Sequence, residues 1–136
     1  MIQNIPLEKV LFLDIETVPQ YGNWEDLDET GQYLWDKKTR FQRKEEFTAE
    51  EFYNERGGIM AEFGKIICIS VGILEKNGKL MIKSFYGDDE KKLLEEFGEI
   101  FNRPKLRDVI LCAHNGKEFD FPWIARRFLI NGMQPP

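Results

Sequence analysis

The chain of 136 residues has no excess of basic charge, only two cysteines and a single histidine. Lys and Arg number 19 against 24 Asp and Glu, so the formal net charge is −5. A protein that coats nucleic acid by bulk electrostatics normally presents a basic face, and this charge balance argues against that class. It does not exclude a nuclease, because enzymes that cut phosphodiesters with divalent cations need acidic ligands.

Long apolar runs and paired thiols are also missing from the sequence. There is no stretch of 18 apolar residues, and the N-terminus lacks a basic region followed by an apolar core. These absences argue against a membrane span and a secretory signal, and they predict a cytoplasmic protein. Cys68 and Cys112 each lie in an apolar, strand-like run without a second thiol nearby. We expect two buried free thiols rather than a disulfide or a zinc site.

The length suits one domain over residues 1–136, and its first apolar run predicts a central strand. Residues 9–16 form this strand, and Pro19 ends it because proline cannot donate to a sheet ladder. The segment Val10–Leu13 is apolar on both faces, which is typical of a strand covered on both sides. The run Val109–Ala113 is equally apolar, and we expect it beside the first strand in the interior of the sheet.

Two further strands are expected to form a hairpin. Residues 65–74 and 80–86 are rich in β-formers and are separated by Asn77-Gly78. That dipeptide accepts the positive φ angles of a type I′ turn, so the two strands should be antiparallel.

Helical patterns fill the remaining segments. Residues 20–58 change to charged residues with scattered aromatics and predict a helical insertion. An acidic start at Asp88 and a stop at Pro104 bound a helix with one apolar stripe; the stripe consists of Leu93, Leu94, Phe97, Ile100 and Phe101. A second helix is expected from Asp120 to Asn131, with Gly132 as its stop. Its inward residues should be Ile124, Phe128 and Leu129. The fold class is therefore α/β, a mixed sheet with helices packed on it.

Two acids at the end of the first strand indicate a metal site. Asp14 and Glu16 share one face of that strand, roughly 6.5 Å apart. Their repulsion is about 2 to 3 kcal/mol at an effective dielectric constant near 20, and a divalent cation would reverse its sign. A third acid, Asp120, follows the last strand.

The two acidic motifs resemble those of the DEDD superfamily of 3′–5′ exonucleases on the ribonuclease H-like fold. The chain looks closest to the proofreading exonuclease domain of family B DNA polymerases. Phe12-Leu13-Asp14-Ile15-Glu16-Thr17 is similar to the first motif, and Asn115-Gly116-Lys117-Glu118-Phe119-Asp120 to the second. The family's fourth acid has no counterpart before residue 136, so the resemblance implies that the C-terminal part of the fold is lacking.

What this resemblance implies is a two-metal nuclease acting on the 3′ end of single-stranded nucleic acid, DNA more than RNA. Asp14, Glu16 and Asp120 would be the catalytic residues and would hold two Mg²⁺ or Mn²⁺ ions. The residues that would contact the strand are Asn115, Phe119 and Thr17. Without the fourth acid, the alternative is a non-catalytic module that binds nucleic acid or protein. Self-association through the truncated edge is also expected, because exposed apolar surface on residues 109–113 and around Phe128 drives association.

For several residues, the sequence leaves more than one role open. Asp120 is a ligand, a helix cap or both. His114 is either a hydrogen-bonded structural residue or a general base. Arg126 and Arg127 are likewise ambiguous. Residues 37–44 carry five basic side chains around Phe41. This segment either grips the backbone of a single strand or is a solvated helix paired with its acidic neighbours; those neighbours are Glu45, Glu46, Glu50 and Glu51.

Overall fold

The computed structural model describes residues 5–136 as four strands and four α-helices. The strands are β1 (Val10–Pro19), β2 (Gly64–Leu74), β3 (Leu80–Tyr86) and β4 (Ile110–Cys112), and they form one sheet in the order β3-β2-β1-β4. The helices are α1 (Glu29–Arg43), α2 (Ala49–Arg56), α3 (Glu90–Glu99) and α4 (Asp120–Ile130). This arrangement confirms the predicted α/β fold class with a mixed sheet. In the described part of the chain, no helix has the length and apolarity needed to cross a bilayer.

The chain forms two compact units. One consists of the described residues up to Glu16 together with Ile66–Pro136, and the other is Thr17–Lys65. The first unit contains the sheet's core and the helices α3 and α4. The second contains α1 and α2, within the stretch that the sequence predicts to be a helical insertion.

Strand β1 is central, as expected, but only one of its faces is covered by the described residues. Leu11, Leu13 and Ile15 are buried, whereas Phe12 on the opposite face is 41% exposed. Helices α3 and α4 pack on the buried face, where the rings of Phe97 and Phe85 meet at 6.1 Å. The prediction of a strand covered on both sides was therefore wrong, because both helices of this unit lie on the same side of the sheet.

The hairpin between β2 and β3 is confirmed, with Ser70 opposite Ser84 in an antiparallel register. Its turn differs from the predicted type. The N–H of Gly78 donates to the carbonyl oxygen of Glu75 (3.0 Å), and Gly78 has φ 85°, whereas Asn77 is not at positive φ. A type I′ turn needs positive φ at both central residues; the observed three-residue loop needs it only at the glycine.

Strand β4 lies parallel to β1, with Leu11 opposite Leu111, so its predicted neighbour is confirmed. It forms the edge of the sheet rather than its interior. Ile110 is 47% exposed because, among residues 5–136, no strand pairs with the far side of β4. Cys112 is exposed for the same reason, and Cys68 is half-buried. Both cysteines are free, as predicted, but neither is buried.

Helices α3 and α4 follow the predicted pattern with two exceptions. The first is that α3 ends at Glu99, before the predicted stop at Pro104, and a 3-10 turn over Ile100–Asn102 follows it. Asp89 caps α3 by accepting the N–H of Lys92 (3.1 Å). In α4, Ile124 and Phe128 are buried, and Gly132 ends the helix with φ 74°. The second exception is Leu129, predicted to face inward, which is 65% exposed. The helix buries only a narrow stripe, and the residue next to Phe128 falls outside it.

A buried ion pair joins α3, α4 and β2. Arg127 donates to the carboxylate of Glu90 through Nε (2.9 Å) and Nη2 (2.6 Å). The same carboxylate accepts the backbone N–H of Ile66 (2.7 Å) and the side-chain amide of Asn131 (2.9 Å). Because both charged groups are buried and hydrogen-bonded, they hold the two helices in one orientation.

The unit Thr17–Lys65 has an aromatic core of its own. Trp35 and Tyr53 are fully buried and meet edge to face at 5.3 Å. The indole N–H of Trp35 donates to the carbonyl oxygen of Ala49 (2.9 Å), which satisfies its polar atom inside the core. Thr48 and Glu51 form a capping box that starts α2.

We expect Arg127→Ala to lower the free energy of unfolding by about 3 to 5 kcal/mol, because it leaves the Glu90 carboxylate buried without its cation. Chemical denaturation measures the change. The matched control is Lys105→Ala, which removes an exposed partner of Glu75 (3.4 Å) and should cost less than about 1 kcal/mol. Equal effects of the two substitutions would contradict the structural role of the buried pair.

Candidate metal and nucleic-acid site

The three predicted acids come from two elements, Asp14 and Glu16 from β1 and Asp120 from the start of α4. The sequence predicted Asp14 and Glu16 at the end of the first strand, but β1 continues to Pro19, so both lie within it. Asp14 and Glu16 lie on the exposed face of β1, opposite the buried Leu13 and Ile15. Asp120 is the first residue of α4 and is only 4% exposed. It is not the helix cap: that position is held by Phe119, whose side chain makes no capping bond. The interpretation of Asp120 as a cap alone was therefore wrong.

A tight turn between β4 and α4 sets the place of Asp120. Asn115 takes φ 53°, and its carbonyl oxygen accepts the N–H of Phe119 (2.9 Å). Gly116 is buried, and its carbonyl oxygen accepts the N–H of Phe121 (2.8 Å). A Cβ added at Gly116 would lie 2.8 Å from the Cβ of Ala113 and 2.9 Å from the ring of Phe121. Only glycine fits this position without a shift of its neighbours.

Asp120 and Asp14 are close enough to interact electrostatically. Burial raises the pKa of the Asp120 carboxyl, and the negative charge of Asp14 raises it further. The backbone N–H groups of Asp120 and Ile15 act in the opposite direction on this pKa, as does His114. The fold thus brings together two like charges from the two sequence motifs, at a cost that a cation would relieve.

Glu16 is not among the charged groups that shift the pKa of Asp120, whereas Asp14 is. Across residues 5–136, no set of three or more His, Cys, Asp and Glu side chains is positioned to share a metal ion. The exposed carboxylate of Glu16 lies two residues further along the same strand face as Asp14, a separation of roughly 6.5 Å. Asp14 and Asp120 are therefore the pair that the fold brings together.

The predicted strand contacts have different surroundings. Asn115 is exposed at the tip of the turn, whereas Phe119 is half-buried and its ring lies 5.9 Å from that of Trp123. The hydroxyl of Thr17 donates to the carbonyl oxygen of Gly58 (2.5 Å). His114 is exposed, and both of its interpretations stay predictions. Arg127 has a structural role in the pair with Glu90.

A groove next to Asp14 was missed by the sequence argument. It has a volume of about 440 Å³ on the open face of the sheet. Its lining includes Phe12 and Asp14 from β1, Ser70 and Gly72 from β2, and Ile82 from β3. The alternation of each strand could have placed these residues on one face, and the small side chains of β2 explain why the surface is concave there.

We expect the pKa of Asp120, measured without divalent cation by carboxyl NMR, to lie above the ordinary aspartate value. Asp14→Asn should lower the pKa of Asp120, although burial should still hold this pKa above the ordinary value. The control is Asp108→Asn, in an exposed loop, which should leave the pKa of Asp120 unchanged. Because the folded pKa exceeds the unfolded one, stability should fall as the pH rises from the unfolded pKa through the folded pKa, and less steeply in Asp14→Asn. An Asp120 pKa insensitive to Asp14→Asn would show that the two carboxylates do not interact.

Gly116→Ala should destabilise the protein by about 1 to 3 kcal/mol, because the added methyl group overlaps Ala113 and Phe121. Gly98→Ala on α3 is the control. Its Cβ would meet only the ring of Phe128 at an ordinary 3.7 Å, and alanine should stabilise the helix by up to about 1 kcal/mol. Thermal unfolding compares the two variants, and a higher melting temperature for Gly116→Ala would contradict the close packing of the turn.

The chain was compared with family sequence models, with curated proteins and with solved structures. The sequence model of the RNase_H superfamily matches residues 52–136, a range that includes Asp120 and begins after Asp14 and Glu16. A search of curated proteins finds no match. Among solved structures, the chain is similar to the family B DNA polymerase from the hyperthermophilic archaeon Pyrobaculum calidifontis, with a TM-score of 0.51 and 17% identity. This alignment covers 94% of the chain and 12% of the polymerase chain.

At this identity the likeness to the polymerase shows the fold, and the chain spans only 12% of that polymerase's length. The resemblance to the ribonuclease H-like fold expected from the sequence is confirmed by both comparisons. The match to residues 52–136 takes up more than half of the chain, which therefore belongs to the RNase H superfamily.

Proposed function

We propose that this chain is a metal-dependent nuclease domain that hydrolyses phosphodiester bonds from the 3′ end of single-stranded DNA. The observation that supports the proposal is the proximity of Asp14 to the buried Asp120, whose pKa is raised first by burial and then by the negative charge of Asp14. The two residues come from two motifs far apart in the sequence and lie on a fold of the RNase H superfamily. Clusters of perturbed carboxylates are typical of functional sites.

The donor set fits Mg²⁺ or Mn²⁺. Carboxylate oxygens are the hard ligands that these cations prefer, and a cation between Asp14 and Asp120 would relieve their repulsion. Glu16, exposed on the same strand face, is the proposed third ligand. Two bound ions would supply an activated water and would stabilise the charge on the leaving oxygen.

The protein's own residues would bind and orient the DNA strand. The groove beside Asp14 is apolar, since Phe12 and Ile82 contribute to its lining, and this surface suits a base better than a phosphate. Asn115, exposed at the tip of the turn, is the proposed polar contact. The hydroxyl of Thr17 already donates to Gly58, so any contact it makes with the strand would be as an acceptor. Phe119 is proposed to contact the strand on the ring face that Trp123 leaves open.

A second candidate function is a module that binds nucleic acid without cutting it. The observation that favours this alternative is the absence, within residues 5–136, of three acids placed to share one ion. In this case Asp14 and Asp120 would bind a cation weakly, and the groove beside them would bind a base without hydrolysis.

We expect saturable binding of Mn²⁺, measured by titration calorimetry and by paramagnetic broadening of the Asp14 and Asp120 amide signals. Asp14→Asn and Asp120→Asn should each weaken the binding at least about tenfold, because each removes one ionised ligand. Glu118→Gln is the matched control, since Glu118 is an exposed acid two residues before Asp120, and should bind as the native chain does.

The same proteins are then given 5′-labelled single strands of DNA and of RNA. A nuclease of the proposed kind shortens the DNA from its 3′ end in Mn²⁺ and stops in a chelator. Binding of Mn²⁺ without shortening would support the non-catalytic alternative. Failure to bind Mn²⁺ at all would exclude the metal-dependent proposal.

A further inference from the structure

The exposed side of α1 combines aromatic rings with cations. Trp35, Thr39 and Arg43 are the buried residues of this helix. On the opposite side, Tyr33, Lys37 and Phe41 follow one another at intervals of four residues, which places them in one row about 12 Å long. We call the row, together with the exposed Arg40 and Lys44 beside it, the α1 face.

The aromatic rings of this face are largely in solvent. Phe41 is 89% exposed and Tyr33 is 59% exposed. The aromatic core of the same unit is built from other residues, namely Trp35, Phe52 and Tyr53, with partners around them. Phe41 therefore contributes little to packing within the chain, and its ring is free to stack on a ligand.

Residues 29–44, which form α1 and its C-cap, have a net positive charge, although the net charge of the whole chain is negative. Residues 29–44 carry five basic and two acidic side chains, whereas the whole chain has a net charge of −5. Arg43 and Arg40 both bind Asp36, and the hydrogen bond from Arg40 is the main cause that lowers the pKa of Asp36. Lys38 reaches Glu62 at 3.7 Å. These pairings differ from the acidic neighbours at 45–51 that the sequence suggested.

Lys37 and Lys44 are the cations that remain available. Among the residues that the structure describes, no carboxylate lies within ion-pair distance of either ammonium group. Lys37 lies next to both exposed rings, because it is four residues from Tyr33 and four from Phe41 on the same helix. Lys44 is the C-cap residue of α1, with φ 52°, and follows Phe41 by three residues. Glu45 and Glu46 follow in the exposed turn and limit the positive potential at that end.

We propose that the α1 face binds single-stranded nucleic acid, with Lys37 and Lys44 on the phosphates and Phe41 and Tyr33 stacked on the bases. Alternating cations and rings match a strand that alternates anions and flat apolar bases. A protein partner that buries an apolar surface would need a continuous apolar patch. The exposed Leu34 lies beside Tyr33, but Lys37 separates Tyr33 from Phe41 along the row. The inference rests on the proposed substrate class, but it concerns a surface that contains none of the three acids.

The test is the fluorescence anisotropy of a labelled oligodeoxythymidine with the full chain, in a chelator and at several salt concentrations. The chelator removes any contribution of a metal at the acids. Lys37→Ala combined with Lys44→Ala should weaken binding and reduce the steepness of the log–log salt dependence by about 1.4, since each phosphate contact on a single strand contributes about 0.7. Phe41→Ala should weaken binding at least about fivefold and leave the salt dependence unchanged.

Two matched controls come from the other unit. Lys91→Ala combined with Lys92→Ala removes two exposed lysines of α3, and Tyr86→Ala removes an exposed ring of β3. Both should bind the oligonucleotide as the native chain does. The α1 variants change only exposed side chains, so circular dichroism should show native folding for all of them. A duplex of the same length should bind more weakly, because its stacked bases cannot meet Phe41.

The outcomes separate this inference from the proposed nuclease activity. Strand binding that depends on Lys37, Lys44 and Phe41 supports the α1 face even if no DNA is shortened in Mn²⁺. Native affinity in all α1 variants overturns it, even if the chain proves to be an exonuclease. Equal affinity for the duplex would also overturn it, because stacking would then make no contribution.

Discussion

The buried pair of Glu90 and Arg127 is the interaction on which the geometry of the sheet-containing unit depends. Its carboxylate accepts hydrogen bonds from the side chains of Arg127 and Asn131 on one side and from the backbone of Ile66 on the other. Three elements, α3, the C-terminal half of α4 and the start of β2, are thereby held in one arrangement. A hydrophobic contact in the same place would stabilise the unit as well or better. The hydrogen bonds of the ion pair are directional, however, and a hydrophobic contact is not.

That orientation has a consequence at the other end of α4, where Asp120 lies. The helix is held at Arg127 and Asn131, and the turn at Gly116 determines where it begins. Asp120 is consequently buried against β1, within electrostatic range of Asp14, and its pKa is raised. The repulsion between these two carboxylates therefore lowers the free energy of unfolding of this unit. Such an arrangement is expected where the charges have a ligand to bind.

The two units differ in the charge that they offer to a nucleic acid. The sheet-containing unit presents carboxylates at Asp14 and Glu16, which need a cation before they can approach a phosphate. The unit Thr17–Lys65 presents ammonium groups at Lys37 and Lys44, which approach a phosphate directly. A net charge of −5 averages over these two surfaces. Net charge alone therefore says little about whether a chain of this kind binds nucleic acid.

The sequence by itself determined the features that depend on near neighbours in the chain. The antiparallel hairpin of β2 and β3, the acidic start of α3 and the stop at Gly132 were predicted and confirmed. The pairing of β4 with β1 was also predicted and confirmed, although it joins distant segments, because both runs are wholly apolar. Local hydrogen bonds and the periodicity of apolar residues carry this information, so a single sequence is enough to read it. The two acidic motifs were found for a related reason, since each is short and contiguous.

Only the tertiary structure decided which faces are covered and which distant groups meet. The open face at Phe12, the exposed edge at Ile110 and the outward position of Leu129 depend on where both helices pack, and the residues themselves are as apolar as buried ones. Arg127 pairs with Glu90, 37 positions away in the chain, and Asp120 lies within electrostatic range of Asp14. Elements far apart in the chain determine which faces of a strand or helix are covered and which side chains pair. The sequence pattern around a single residue does not contain this information.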